Sequence, residues 1–159
     1  MTPPNDDGVR EFVERLGSTL TDAGMPRLPA RVFAALLADD DGRMTSTELS
    51  DALDVSPAAI SGAVKYLAQV HMLHREREPG TRRDVYVVRD DAWHDAIINV
   101  HRTYTPIQAA IVSGVSAVGG EGTRAGQRLA ESAAFLDFIA DEMTALADRW
   151  DRRRRRLTS

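Results

Sequence analysis

The stretch from Thr45 to Val70 constrains this chain more than any other. Leu49 and Leu53 recur at helical spacing behind a Thr45 or Ser46 cap, with Glu48 near the position that closes a capping box. Asp54-Val55-Ser56-Pro57 then forms a tight turn: Ser56 is a fresh cap, and Pro57 suits a first helical position because no intrahelical bond needs its missing N–H. A second helix runs to about Val70 with Ile60, Val64 and Leu67 on its inner face. Two short helices on so short a tether must cross and bury Leu49, Leu53, Val55, Ile60, Val64 and Leu67 together, and Ala52 is expected to let them approach closely. Ser56, Ala58, Ala59, Ser61, Gly62 and Lys65 remain near or on the outer face.

The flanks place this pair in a larger order. Upstream, Phe12, Val13, Leu16 and Leu20 mark a helix that Gly24 stops. Pro26 and Pro29 lead into a second helix with Val32, Phe33, Leu36 and Leu37 inward, ended by Asp39-Asp40-Asp41-Gly42. Downstream the period changes. His71–Glu78 and Asp84–Arg89 read as extended, with Pro79-Gly80-Thr81-Arg82-Arg83 as a hairpin tip. Beyond Asp90, apolar residues from Trp93 to Val118 step by three and four, predicting a long helix bent at Pro106. Gly119-Gly120-Glu121-Gly122 breaks it, and a last helix carries Leu129, Leu136, Met143 and Trp150. The expected architecture is mainly α with a small β-hairpin: a winged helix-turn-helix plus a long helical dimerisation hairpin. Residues 1–24 form an N-terminal helix joining the dimerisation layer, 25–90 the winged unit, and 91–159 a two-helix dimerisation region with a basic tail.

In such a unit the second helix enters the major groove while the first braces it across the backbone. Small residues let that helix sit deep. Serine bonds base edges or phosphate, alanine touches thymine methyls, and Lys65 reaches phosphate or guanine. Thr45 and Ser46, at the start of the bracing helix, are assigned to the same DNA-facing set. Arg82 and Arg83 at the hairpin tip suit a neighbouring minor groove, whose negative potential favours arginine. Arg75 and Arg77 lie on the hairpin's polar face, where Glu76 and Glu78 alternate with them, and these charges are expected to pair across strands. A generic helical packing unit would not need the arginine tip that follows directly.

The net charge of −4 argues at first against nucleic acid, but its distribution reverses the argument. Residues 1–42 carry four basic and eight acidic side chains, whereas residues 43–89 carry seven and six. There are no cysteines, so disulfides, thiolate metal sites and cysteine nucleophiles are excluded. No apolar run reaches membrane-spanning length and the N-terminus has no signal-like pattern, which predicts a cytoplasmic protein. His71, His74, His94 and His101 lack a completing carboxylate cluster and are read as ordinary histidines, with no metal. A phosphate loop, a nucleophile elbow and a paired-carboxylate cleft are all missing, so neither an enzyme nor a cofactor is expected.

Residues Thr47-Glu48-Leu49-Ser50-Asp51-Ala52-Leu53-Asp54-Val55-Ser56-Pro57-Ala58-Ala59-Ile60-Ser61 resemble the helix-turn-helix of MarR-type transcription regulators. Ala23-Gly24-Met25-Pro26-Arg27-Leu28-Pro29-Ala30-Arg31-Val32 and the tip Gly80-Thr81-Arg82-Arg83 resemble the GbsR-like branch more closely. The resemblance implies a dimeric repressor or activator whose terminal helices pair between subunits and whose DNA affinity responds to a ligand.

The residues themselves carry the dimer expectation further. Two long amphipathic helices exceed the needs of a compact winged domain and, unpaired, would expose an apolar stripe. Phe12, Leu16, Ile107, Ile111, Leu129, Leu136, Met143 and Trp150 are the expected dimerisation residues. Trp93, His101, Arg102 and Tyr104, near the junction, are candidates for lining a small-molecule effector site. The run Arg152–Arg156 offers either nonspecific phosphate contacts or a solvated helix end. The expected partners are double-stranded DNA, a second copy of the chain and an unidentified effector, with no membrane. The competing reading is a winged-helix module that docks a protein instead of DNA.

Overall fold

The computed structural model describes residues 6–89, 92–98 and 100–157. The chain divides into two units, Met1–Trp93 and His94–Ser159. In the first unit the elements run α1 (Asp6–Asp22), α2 (Arg27–Ala38), β1 (Arg43–Thr45), α3 (Ser46–Leu53), α4 (Pro57–Gln69), β2 (His74–Arg77) and β3 (Asp84–Val87), with α5 (Ala92–Ile98) starting at its end.

Helix α2 is the centre of this unit. Pro29, Ala30 and every residue from Val32 to Leu36 are buried, so the helix is apolar nearly all round and is enclosed by its neighbours. Helix α1 lies against it at Gly17, where a Cβ would come within 3.0 Å of the Arg31 side chain. Arg31 ties three helices. Its Nε and Nη2 donate to Glu14 Oε1 at 2.9 and 2.5 Å, and its Nη1 donates to the Leu53 carbonyl at 3.4 Å, one of the acceptors left over at the end of α3. Leu49, Leu53, Ile60, Ala63, Val64 and Leu67 complete the core from α3 and α4.

The hairpin is part of a three-stranded antiparallel sheet, ordered β1-β3-β2. The extra strand, β1, pairs Arg43 with Val87 and Thr45 with Val85. Gly42 makes this pairing possible: its φ is +62°, a Cβ there would lie 2.7 Å from the Val88 carbonyl oxygen, and its own carbonyl accepts from Val88 N–H at 2.9 Å. The strand expected from His71 begins only at His74. His71 has φ +60°, and Met72 and Leu73 turn inward and are buried.

The second unit pairs α6 (Val100–Ala117) with α7 (Arg124–Leu157), and Pro106 lies inside α6. The pairing is antiparallel. Gln108 Nε2 donates to Asp137 Oδ1 at 3.2 Å, a Cβ on Gly114 would meet Leu129 at 3.4 Å, and His94 Nε2 lies 3.9 Å from Asp151 Oδ1. Gly119 and Gly120 turn the chain at positive φ, and Gly126 is obligatory because a Cβ there would lie 1.8 Å from the Gly120 carbonyl oxygen. Helix α7, 34 residues long, extends about 51 Å. Only Gly126 and Ala133 of it are buried. Among the described residues no helix is long and apolar enough to cross a membrane.

Candidate nucleic-acid interface

Local chemistry sets the angle between α3 and α4. Thr45 caps α3 in a full capping box: its Oγ1 accepts from Glu48 N–H at 3.2 Å, while its own N–H and hydroxyl donate to Glu48 Oε2 at 2.7 and 2.8 Å. Asp54 ends the helix in the left-handed region, φ +52° and ψ +52°. The Ser50 hydroxyl donates to the Val55 carbonyl, and Val55 N–H donates back to the Ser50 carbonyl at 3.1 Å. Ser56 then caps α4 by accepting from Ala59 N–H, with Pro57 at the start of the helix. Ala52 is exposed and does not mediate the helix approach. Ala63, on α4, is buried.

Of the sequence-derived contact set, Ser56, Ala58, Ser61, Gly62 and Lys65 are exposed, while Ala59, Thr45 and Ser46 are half-buried. Gly62 faces open space. Arg82 and Arg83 are exposed at the sheet's tip, held by a turn in which Thr81 N–H donates to the Glu78 carbonyl and Glu78 N–H to the Arg83 carbonyl. Arg82 and Lys65 form no ion pair among the described residues.

Other wing charges pair across strands, as expected. Arg75 bonds Asp84, diagonally across the β2–β3 ladder, and Glu76 meets Arg43 of β1 at 3.3 Å. Arg43 was beyond sequence reasoning because β1 itself was. The hydrogen bond from Arg75 holds the Asp84 carboxyl below the usual range and raises the guanidinium of Arg75. Hydrogen bonds from the Thr45 N–H and then its hydroxyl lower the Glu48 carboxyl, burial opposes them weakly, and the charge of Arg83 adds a smaller lowering.

The remaining candidates lie elsewhere. Trp93 packs edge-on against buried Phe33, with ring centroids 5.2 Å apart, and is otherwise half exposed. Tyr104 is exposed on α6, and the side chains of His101 and Arg102 fall outside the described residues. Ile107 and Trp150 are exposed, whereas Phe12, Leu16, Ile111, Leu129, Leu136 and Met143 are half-buried. Among the described residues no group of three or more histidine, aspartate or glutamate side chains is placed to hold a metal.

An exposed helix of small and polar residues, braced by a preceding helix and followed by an arginine-tipped sheet, defines a winged helix-turn-helix. Known proteins of this class are similar to the chain in two segments. The MarR family model matches residues 23–84, and one described as MmpR5-like MarR family transcriptional regulator matches residues 91–154. The chain is 27% identical over 145 residues to the HTH-type transcriptional regulator MmpR5 of Mycobacterium tuberculosis, covering 91% of this chain and 88% of that protein. A crystal structure described as that of a transcriptional regulator superposes with a TM-score of 0.81 at 26% identity, covering 91% of this chain and 99% of the other. The chain is thus similar to MarR-family transcriptional regulators over residues 23–84 and 91–154, on a winged-helix fold.

Proposed function

We propose that the protein is a cytoplasmic, sequence-specific DNA-binding regulator of the GbsR-like branch, acting as a homodimer on a pseudopalindromic operator with affinity set by a small-molecule effector. The observation that carries this reading is the exposed face Ser56, Ala58, Ser61, Gly62 and Lys65 on α4, next in sequence to an exposed tip bearing Arg82 and Arg83. Helix α4 reads base edges in the major groove, and the tip holds backbone and minor groove. Residues 1–24 and 91–159 supply the dimer, through Phe12, Leu16, Ile107, Ile111, Leu129, Leu136, Met143 and Trp150.

The near-neutral head, +1 over residues 43–89, gives one copy few phosphate contacts. Two heads spaced by about one helical turn, roughly 34–36 Å, gain affinity together. The experiment is selection of bound fragments from randomised duplex, followed by titration of the enriched site and of a half-site. Enrichment of an inverted repeat, bound far more tightly than its half, is the expected result. Retention of all duplexes alike, or of none, overturns sequence-specific binding. Effector control through Trp93, His101, Arg102 and Tyr104 is tested by adding small molecules to the operator complex.

A further inference from the structure

The densest positive charge in the chain lies outside the reading head. Residues 152–156 are five arginines with no acid between them, whereas the head, residues 43–89, carries seven basic and six acidic side chains. The run is helical, since α7 continues to Leu157. The helix dipole favours cations in the last turn, which holds Arg154, Arg155 and Arg156, but gives no reason for Arg152 and Arg153 before it. Arg152, Arg153 and Arg156 are exposed and form no ion pair among the described residues. At about 100° per residue these three share one face of α7, about 100° wide and about 6 Å long. Arg156 follows the other two by three and four residues, the spacing at which like charges destabilise a helix. An anion held between them removes that repulsion.

We propose that Arg152, Arg153 and Arg156 form a second phosphate-binding site, on the second unit, that supplies sequence-independent affinity for duplex DNA. Each strand of a duplex presents one phosphate per about 3.4 Å of axis, so a face about 6 Å long meets about two of them. Guanidinium groups bond phosphate oxygens in pairs, and each contact releases counterions whatever the base sequence. The near-neutral head reads sequence, and the arginine face adds the attraction that the head lacks. A lipid surface fits less well. Leu146, Trp150 and Leu157 follow a separate line, about a quarter turn round the helix, and Asp148 and Asp151 stand beside the arginines, where an anionic membrane would repel them. The assignment to DNA rests on the DNA-binding reading above.

The test measures binding of the full chain to random-sequence duplex over a range of salt. Arg152→Gln, Arg153→Gln and Arg156→Gln are combined in one variant, because glutamine keeps the helix propensity while the charge goes. This variant should bind about tenfold more weakly at low salt, with the logarithmic salt slope reduced by about 2.7. The loss should be the same on a site enriched by selection as on random duplex. Lysine at the same three positions keeps the charges and should keep the parent's slope. A lysine variant as weak as the glutamine one marks a structural role and overturns the proposal. If the glutamine variant binds as the parent does, while Arg82→Gln with Arg83→Gln still lowers the slope, the second site is overturned and the DNA-binding reading stands. A parent that binds no duplex overturns both. Vesicles of phosphatidylserine and phosphatidylcholine supply the remaining arm: vesicle binding that the glutamine variant loses, with its DNA slope unchanged, gives the arginines to a membrane and overturns the proposal.

Discussion

Thr45 and Glu48 close a reciprocal pair of bonds at the one residue that belongs both to the sheet and to the helix-turn-helix. Thr45 is the last residue of β1, opposite Val85, and the N-cap of α3. Its backbone N–H and hydroxyl donate to Glu48 Oε2, and its oxygen accepts from the Glu48 N–H. The wing and the bracing helix therefore share a rigid joint.

Breaking this joint costs stability in a pH-dependent way. Thr45→Ala removes the cap acceptor and should lower unfolding free energy by about 1 kcal/mol at neutral pH, read by urea denaturation. The folded Glu48 carboxyl is held below its unfolded value, so its contribution is complete above the unfolded pKa and is lost as pH falls through the folded one. The gap between parent and Thr45→Ala should accordingly narrow in acid. A gap that is constant with pH would mean that Glu48 does not act through Thr45.

What could be read in advance was the chemistry that stays local. Ser56 and Pro57 announce the start of α4 from two adjacent residues, and the structure uses both as expected. The outer face of α4 followed from helical period alone. Strand β1 did not, because three residues, Arg43-Met44-Thr45, become a strand only through pairing with Val85–Val87. The start of β2 was misplaced for a related reason: Met72 and Leu73 are apolar and adjacent, and only the positive φ of His71 shows that they turn inward instead of alternating. On α7, period shows that a stripe exists but not which part of it faces α6. Leu129 and Leu136 are half-buried, while Phe135 and Phe138 are exposed and had no signal to set them apart.

Two glycines should respond to alanine with opposite signs. At Gly42, positive φ and a Cβ position 2.7 Å from the Val88 carbonyl make Gly42→Ala destabilising by well over about 1 kcal/mol. At Gly62, in α4 with open space around it, Gly62→Ala should stabilise by about 0.5–1 kcal/mol. Thermal unfolding of the pair measures both. Destabilisation by Gly62→Ala would mean that the outer face of α4 is covered.

Wing and reading helix should separate in their effects on DNA. Arg82→Ala with Arg83→Ala removes two exposed cations and should weaken all duplexes alike, reducing the logarithmic salt slope by about 1.8. Ser61→Ala and Lys65→Ala should instead shift the preferred sequence. Equilibrium binding across a salt series and a base-substitution series distinguishes the two. A changed sequence preference from the arginine pair would move base readout to the tip.

Self-association should depend on the outer stripe of α7. Phe135 and Phe138 are 60% and 58% exposed one turn apart, and Leu146, Trp150 and Leu157 continue as large exposed apolar side chains on the same helix. The described part of α7 buries only Gly126 and Ala133, so the α6–α7 hairpin leaves its largest apolar side chains in water. A two-fold mate would cover them, since an isologous interface presents the same stripe from both sides. Replacing both phenylalanines with glutamate should convert a dimer to a monomer by sedimentation, leave the thermal unfolding of the first unit nearly unchanged, and reduce affinity for an inverted repeat to that for a half-site. If the parent sediments as a monomer at micromolar concentration, or if the double variant still dimerises, these two phenylalanines do not hold the dimer and the partner surface lies elsewhere.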